Sequence, residues 1–357
     1  MPVIRAIDKL EDILASSENF LQRMHELGQD PHRNKQLRRL FSPSEAAEMV
    51  GRDRTTLVRA EAELGFQDMA RNPNNNRRVG YTLEQIQAFR GHFGTLPGRD
   101  PATDAPMVIA IQNFKGGVGK STTCVNFAHY LGLKGYRVLV VDADSQATTT
   151  SMFGYVPDAD IEADQTVLPY LVGEQSNLAY AIRRAAFFSE LRQGIETVMA
   201  DYDIVLIDSP PALGTISISV LLAADALMVP SAAKMFDFAS TVQFFRMIHT
   251  YIERIDPNKS YRWISVLTTL FDQRYESQKQ FVEVMRQCFG ESVFQRVFFH
   301  SSEVINTAVQ FNTPYEQEKP RREVLKMMDH VFGEAELAIL REWPSKRAQL
   351  NEQGVAA

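Results

Sequence analysis

The chain has 357 residues, a length that at roughly 100–200 residues per domain predicts two or three domains. Hydrophobic residues at 45% and charged residues at 23% are ordinary globular usage, which excludes a wholly disordered or fibrous chain. The formal charge of −6 excludes a generic polycation, yet residues 31–90 sum to about +4 and the remainder to about −10, an asymmetry that points to a dedicated anion-binding module.

From the N-terminus, Ile4, Ile7, Leu10, Ile13, Leu14, Phe20, Leu21, Met24 and Leu27 fall among Asp, Glu and Lys with a helical period, so residues 1–30 are expected to form amphipathic helices. Such a stripe either packs on the next domain or pairs with a second copy, and we assign it as a dimerisation segment. Residues 31–93 follow as a unit. Within them, FSPSEAAEMVGRDRTTLVRAEAELG gives a short helix, a turn at Gly51 and a second helix from Asp53 to Leu64, the spacing of a helix-turn-helix. The second helix is expected to present Arg52, Arg54, Thr55, Thr56 and Arg59 to solvent, with Leu57 and Val58 available to the core. These residue types suit bases and phosphates. Next, ARNPNNNRRVG places Arg71, Arg77 and Arg78 in an asparagine-rich loop that reads as a basic wing. Residues 94–106, GTLPGRDPATDAP, have linker composition.

Beyond the linker, apolar runs at 107–114, 136–143, 202–210, 226–232 and 262–270 alternate with helical stretches at 120–134, 214–224, 237–255 and 276–289. This order predicts a buried parallel sheet covered on both faces. Directly after the first run comes Lys115-Gly116-Gly117-Val118-Gly119-Lys120-Ser121-Thr122, leading into a helix. Glycines let successive N–H groups face phosphate oxygens, the helix N-terminus adds its dipole, Lys120 neutralises charge and Ser121 can hold Mg²⁺. The common GxxxxGK[ST] pattern would need glycine at 114, where this chain has phenylalanine. The second run ends Asp142-Ala143-Asp144-Ser145-Gln146, with its carboxylates at the edge where open α/β sheets bind ligands.

The string KGGVGKS resembles the deviant Walker A motif of the MinD/ParA/nitrogenase-iron-protein class of ATPases. That resemblance implies ATP as ligand, Lys115 reaching across a homodimer interface to the partner's nucleotide, and Asp144 positioning the attacking water. Serine at 145 departs from the family's DxDPQ. The resemblance also makes Asp208, which ends the apolar strand of IVLIDSPP, the Walker B carboxylate, so Ser121, Asp142 and Asp208 are the expected Mg²⁺ set and Lys115, Lys120 and Asp144 the catalytic one. Pro210 and Pro211 then form a switch-like turn. Later blocks extend the likeness to about residue 320 and place Arg274, in FDQR, where the family binds DNA nonspecifically; for Arg296 a solvated face is an equal reading. The N-terminal segment resembles the winged, MerR-like operator-binding domain of larger, type Ia ParA and RepA-type proteins.

The expected architecture is therefore an α/β, P-loop doubly wound, mostly parallel sheet over 107–340, preceded by an all-α winged helix-turn-helix domain and followed by a polar tail, 341–357. The implied function is slow, partner-stimulated ATP hydrolysis in replicon segregation, with specific operator DNA, nonspecific DNA and a ParB-type centromere-binding protein as partners. Cys124 and Cys288 lie far apart and outside any CxxC, and no apolar run approaches a membrane span. The expected location is cytoplasmic and nucleoid-associated, without membrane attachment. The alternative, a MinD-like or ParA-like ATPase positioning a membrane-associated or protein cargo, would need REVLKMMDHVFGEAELAILREW as an amphipathic anchor.

Overall fold

The computed structural model describes Ala15 and residues 39–66, 78–155 and 190–352. The expected helices of 1–30 and the loop arginines Arg71 and Arg77 lie outside the described residues. Three helices, α1 (Pro43–Val50), α2 (Arg54–Glu63) and α3 (Leu83–Phe93), share a small core of Phe41, Ala46, Val50, Leu57, Ala60, Tyr81, Ile86 and Phe89. Ser42 and Glu45 form a capping box at the start of α1, Asp53 caps α2 through the Thr56 amide, and Thr82 with Gln85 boxes α3. Gly51 closes α1 at φ 69°, a left-handed turn that favours glycine. Val58 departs from expectation: it is half exposed, because Leu57, Ala60 and Glu61 already fill the inward face of α2.

The remaining strands form one parallel sheet, ordered β2 (Val138–Asp142), β3 (Ile204–Asp208), β1 (Met107–Ile111), β4 (Ala226–Ala232), β5 (Trp263–Thr269). Alternate side chains of a strand face opposite sides of a sheet. Met107, Ile109, Ile111, Ile204 and Leu206 accordingly enter one core, packed under α4 (Lys120–Lys134) and α10 (Arg322–Glu342). Val108, Ala110, Val205, Ile207, Leu227 and Val229 enter the other, under α6 (Thr215–Ala223), α7 (Met235–Ile255) and α8 (Glu276–Phe289). The short α5 (Thr148–Met152) follows β2, and α9 (Ser302–Val309) follows β5 and α8. The carboxyl ends of β1, β2 and β3 converge where the strand order reverses, the place at which such sheets bind ligands.

Two segments are more ordered than their polar composition suggests. In 94–106, the buried Arg99 donates to the carbonyls of Tyr202 (3.2 Å) and Ala200 (2.7 Å), which fastens the connector to the segment before β3, and to that of Asp104 (3.1 Å) within the connector itself. After α10, residues Pro344–Glu352, within the expected polar tail, form a further helix, α11. Trp343 between the two is 1% exposed and donates its indole N–H to the Ala105 carbonyl at 2.9 Å. Met328, Val331, Phe332, Ala335 and Ile339 turn the apolar face of α10 into the core, so the face that a membrane anchor would require is already buried.

Candidate functional site: the phosphate loop and its carboxylates

The loop after β1 is fixed at both ends by side chains. Asn113, fully buried, donates to the Pro230 carbonyl (2.8 Å) and Thr241 Oγ1 (3.1 Å), while its Oδ1 accepts the Lys115 amide (3.1 Å). On the far side Thr269, at the end of β5, donates its hydroxyl to the Val118 carbonyl at 2.8 Å. Gly117 (φ 74°) and Gly119 (φ 86°) take left-handed backbone that other residues adopt only with strain. α4 begins at Lys120 without a side-chain cap, so its first N–H groups and its dipole are available to an anion. Gly119 and Thr122 form one wall of a cavity of about 410 Å³ whose other side is Thr269, Leu270, Phe298 and Val304. A polar rim over an apolar wall suits a phosphorylated ligand with a flat apolar part.

Charge converges on the loop from the neighbouring strand ends. Lys120 is 6% exposed and donates Nζ to the Lys115 carbonyl at 3.0 Å. Burial pushes its pKa down, and the nearby Asp208 and Asp144 carboxylates pull it back. Asp208, at the end of β3, is fully buried and accepts from Thr149 Oγ1 at 2.7 Å, while its Oδ1 has no hydrogen-bond partner. Burial raises its pKa to about 6 against the opposing pull of the Ser121 and Thr149 hydroxyls and Lys120. An orphaned carboxylate oxygen beside a hydroxyl at the mouth of a phosphate loop fits Mg²⁺, which takes few protein oxygens and completes its shell with phosphate and water. Asp142 is held differently. Its oxygens accept the Asp144 amide (3.2 Å), the Thr150 amide (2.8 Å) and Thr150 Oγ1 (2.7 Å), so it organises the turn into α5. Asp144 is half-buried and accepts the Gln146 amide at 3.1 Å through Oδ1 alone. Lys115 lies on the open side, its Nζ 3.4 Å from Asp237 in the first turn of α7. Beyond Asp237's neighbours Met235 and Phe236 there is little cover, with 66% and 82% of their surfaces exposed.

Sequence reasoning missed Asn113, Thr149, Thr269 and Asp237, which act through residues distant in the chain. Among the helix-turn-helix candidates, Arg52, Arg54, Thr55 and Arg59 are exposed. Arg54 donates to Ser44 Oγ, Arg52 lies over the Phe93 ring at 5.5 Å, and Arg59 has no partner among the described residues. The Thr56 hydroxyl is taken by Asp53. Arg78 is turned inward, paired with the buried Glu61 and donating to Tyr81 Oη at 3.1 Å, so its guanidinium organises the small core rather than a basic wing. Arg274 is exposed but chelates Asp272, with Nε to Oδ1 at 2.9 Å and Nη2 to Oδ2 at 2.6 Å, and holds that carboxyl down at about 2. Arg274 and the helix-turn-helix residues do not join the phosphate loop.

A parallel sheet bearing a glycine-rich phosphate loop at the head of a helix, with acidic strand ends facing it, defines a P-loop nucleotide-binding protein. The family model for the CobQ/CobB/MinD/ParA nucleotide binding domain matches residues 109–314, more than half of the chain. Protein SopA of Escherichia coli K12 is 34% identical over 320 residues, covering 79% of this chain and 82% of that protein. A putative replication protein A of Rhizobium rhizogenes is 27% identical over 394 residues, covering 96% and 97%. A solved structure titled Partition Protein superposes with a TM-score of 0.58 at 17% identity, over 94% of this chain and 99% of that one, a likeness of fold alone. The chain belongs to the CobQ/CobB/MinD/ParA nucleotide-binding family, among its ParA-type partition ATPases. Among the described residues no helix is long and apolar enough to cross a membrane.

Proposed function

We propose that the protein is a partition switch: ATP closes two copies into a dimer, the dimer binds DNA without sequence preference, and the N-terminal module binds an operator and represses transcription. A ParB-type partner accelerates turnover, in the cytoplasm and on the nucleoid. What supports this reading is Lys115, a second lysine on the open side of the loop, whose partner Asp237 directly follows the exposed Met235 and Phe236 in the chain. The cavity behind Gly119 takes the nucleobase, the N–H groups of residues 116–122 and Lys120 bind the phosphates, and Asp144 orients water. Ser121 and Asp208 would hold Mg²⁺, which when bound neutralises phosphate charge. Lys115→Ala should retain ATP binding and lose ATP-dependent association in sedimentation velocity. Unchanged association would remove the cross-subunit role.

Operator reading rests on exposed side chains of α2. Arg59→Ala should cost about 1–3 kcal/mol at the specific site, the value of a good base contact, and leave ATP hydrolysis intact. Footprinting of the promoter by residues 107–357 alone would place the reader elsewhere. For the nonspecific mode, the pairing of Arg274 with Asp272 adds a condition: phosphate must displace a carboxylate. Arg274→Ala should make the logarithmic salt slope shallower by about one, and Asp272→Asn should tighten binding to random DNA without altering the dimer. An unchanged slope would remove Arg274 from the DNA surface.

A further inference from the structure

Between the helix that begins at the phosphate loop and the helix-turn-helix lies one buried guanidinium. Arg90, on α3, is 3% exposed. Its Nη1 donates to the Leu133 carbonyl in the last turn of α4 (2.7 Å) and to Gln87 Oε1 (3.3 Å), while Nε and Nη2 both donate to the Met49 carbonyl at the end of α1 (3.0 and 2.9 Å). Gln87 adds a bond from Nε2 to the Gly132 carbonyl (3.0 Å). Gly135, which caps α4 at φ 110°, leaves no room at this junction: a Cβ there would stand 2.8 Å from Gln87 Oε1 and 3.2 Å from Arg90 Nη1. A planar guanidinium fixes the directions of its donors, so it fixes the carbonyls it joins relative to one another. Met49 is in the last turn of α1, two residues before the Gly51 turn into α2, and Leu133 is in the last turn of a 15-residue helix, about 22 Å long, whose first residue is Lys120.

A second contact runs parallel. Arg39, buried, donates to Glu45 of the α1 capping box (2.7 Å) and to the Tyr315 carbonyl (3.3 Å). Tyr315 follows α9, whose Val304 and Ala308 line the cavity beside Gly119. Both ends of α1 are thus tied to elements that lead back to the loop.

We infer that Arg90 is a coupling strut: occupation of the phosphate loop shifts α4, and the Leu133–Arg90–Met49 bridge carries that shift into the turn between α1 and α2, so that the nucleotide state sets the geometry of the DNA-reading helix. This inference rests on the nucleotide site proposed above. Rigid elements joined through one discrete contact are a physical route for coupling, and single contacts on such a route carry about 2- to 30-fold effects.

The test uses the full chain, with amide hydrogen exchange at residues 47–56 read with and without a non-hydrolysable ATP analogue and Mg²⁺. In the wild type the analogue should change exchange there by about 2- to 30-fold. Arg90→Met should bind the analogue with unaltered affinity and lose the change; Gly135→Ala, which crowds the junction while keeping the arginine, should reduce it and serves if Arg90→Met fails to fold. No change in the wild type despite bound analogue, or a full change in either folded variant, overturns the inference. An analogue that does not bind the wild type at all would instead overturn the nucleotide-site reading. Operator affinity gives a separate arm, since loss of its nucleotide dependence in Arg90→Met supports the strut, whereas persistence of that dependence refutes it.

Discussion

Lys120→Ala should abolish ATP binding, and Asp144→Ala should bind ATP but hydrolyse it poorly. The ammonium of Lys120 is already placed inside the loop, 6% exposed and bonded to the Lys115 carbonyl, so a phosphate oxygen entering the cradle replaces one acceptor with a charged one. Hydrogen bonds to charged groups contribute about 1.5–3 kcal/mol each, and an ammonium with several donors should shift the dissociation constant by at least about 100-fold. Asp144 sits differently. With one oxygen engaged by the Gln146 amide and the residue half-buried, it keeps acceptor capacity with which it can orient a water, and it adds nothing to phosphate binding. Loss of a positioning group of this kind costs about 10²–10⁴-fold in rate. Equilibrium binding of a fluorescent ATP analogue and single-turnover hydrolysis separate the two effects. Wild-type hydrolysis in Asp144→Ala, with loss in Asp142→Ala, would transfer the water-positioning role to Asp142.

Much of this arrangement was legible because it is local. β1, the loop and the start of α4 are contiguous, so their glycines and lysines announce the cradle without knowledge of the rest of the fold. The strand ends at Asp142 and Asp208 were equally readable, as continuous apolar runs stop at each carboxylate. Asn113, Thr149, Thr269 and Asp237 were not: each acts across 59 to 151 positions through pairings that exist only once strands and helices are assembled. Roles as well as positions were obscured. Asp142 looked equivalent to Asp208 as a metal ligand, and its bonds from Thr150 give it a further task, ordering the start of α5, that its place at a strand end does not announce. Arg78 looked like part of a basic wing, but Glu61, 17 positions away on α2, is buried and draws it inward. Polar composition at 94–106 hid Arg99, whose bonds to the Ala200 and Tyr202 carbonyls fasten a segment that has almost no apolar side chains to bury.

Asp208→Asn should stabilise the nucleotide-free protein at pH 7 while removing Mg²⁺-dependent nucleotide binding. Burial holds the carboxyl at a pKa of about 6, above the ordinary value of about 3.9. A raised folded pKa means that the native state binds more protons than the unfolded state between those two values, so stability falls as pH rises through that window and the full penalty applies above it. At 1.36 kcal/mol per pH unit the penalty at pH 7 is about 3 kcal/mol, which for a chain of this size corresponds to several degrees in Tm. Asparagine keeps an acceptor for Thr149 and carries no charge, so its advantage should be small at pH 4 and grow to its maximum by pH 7. Adding Mg²⁺ and a non-hydrolysable ATP analogue should reverse the order, because only the carboxylate gains a cation for its unpartnered Oδ1. Thermal unfolding of both proteins at the two pH values, with and without that ligand, decides the matter. A Tm difference independent of pH would show that Asp208 is ionised at no cost, and equal stabilisation of both proteins by Mg²⁺ and the analogue would remove Asp208 from the metal site.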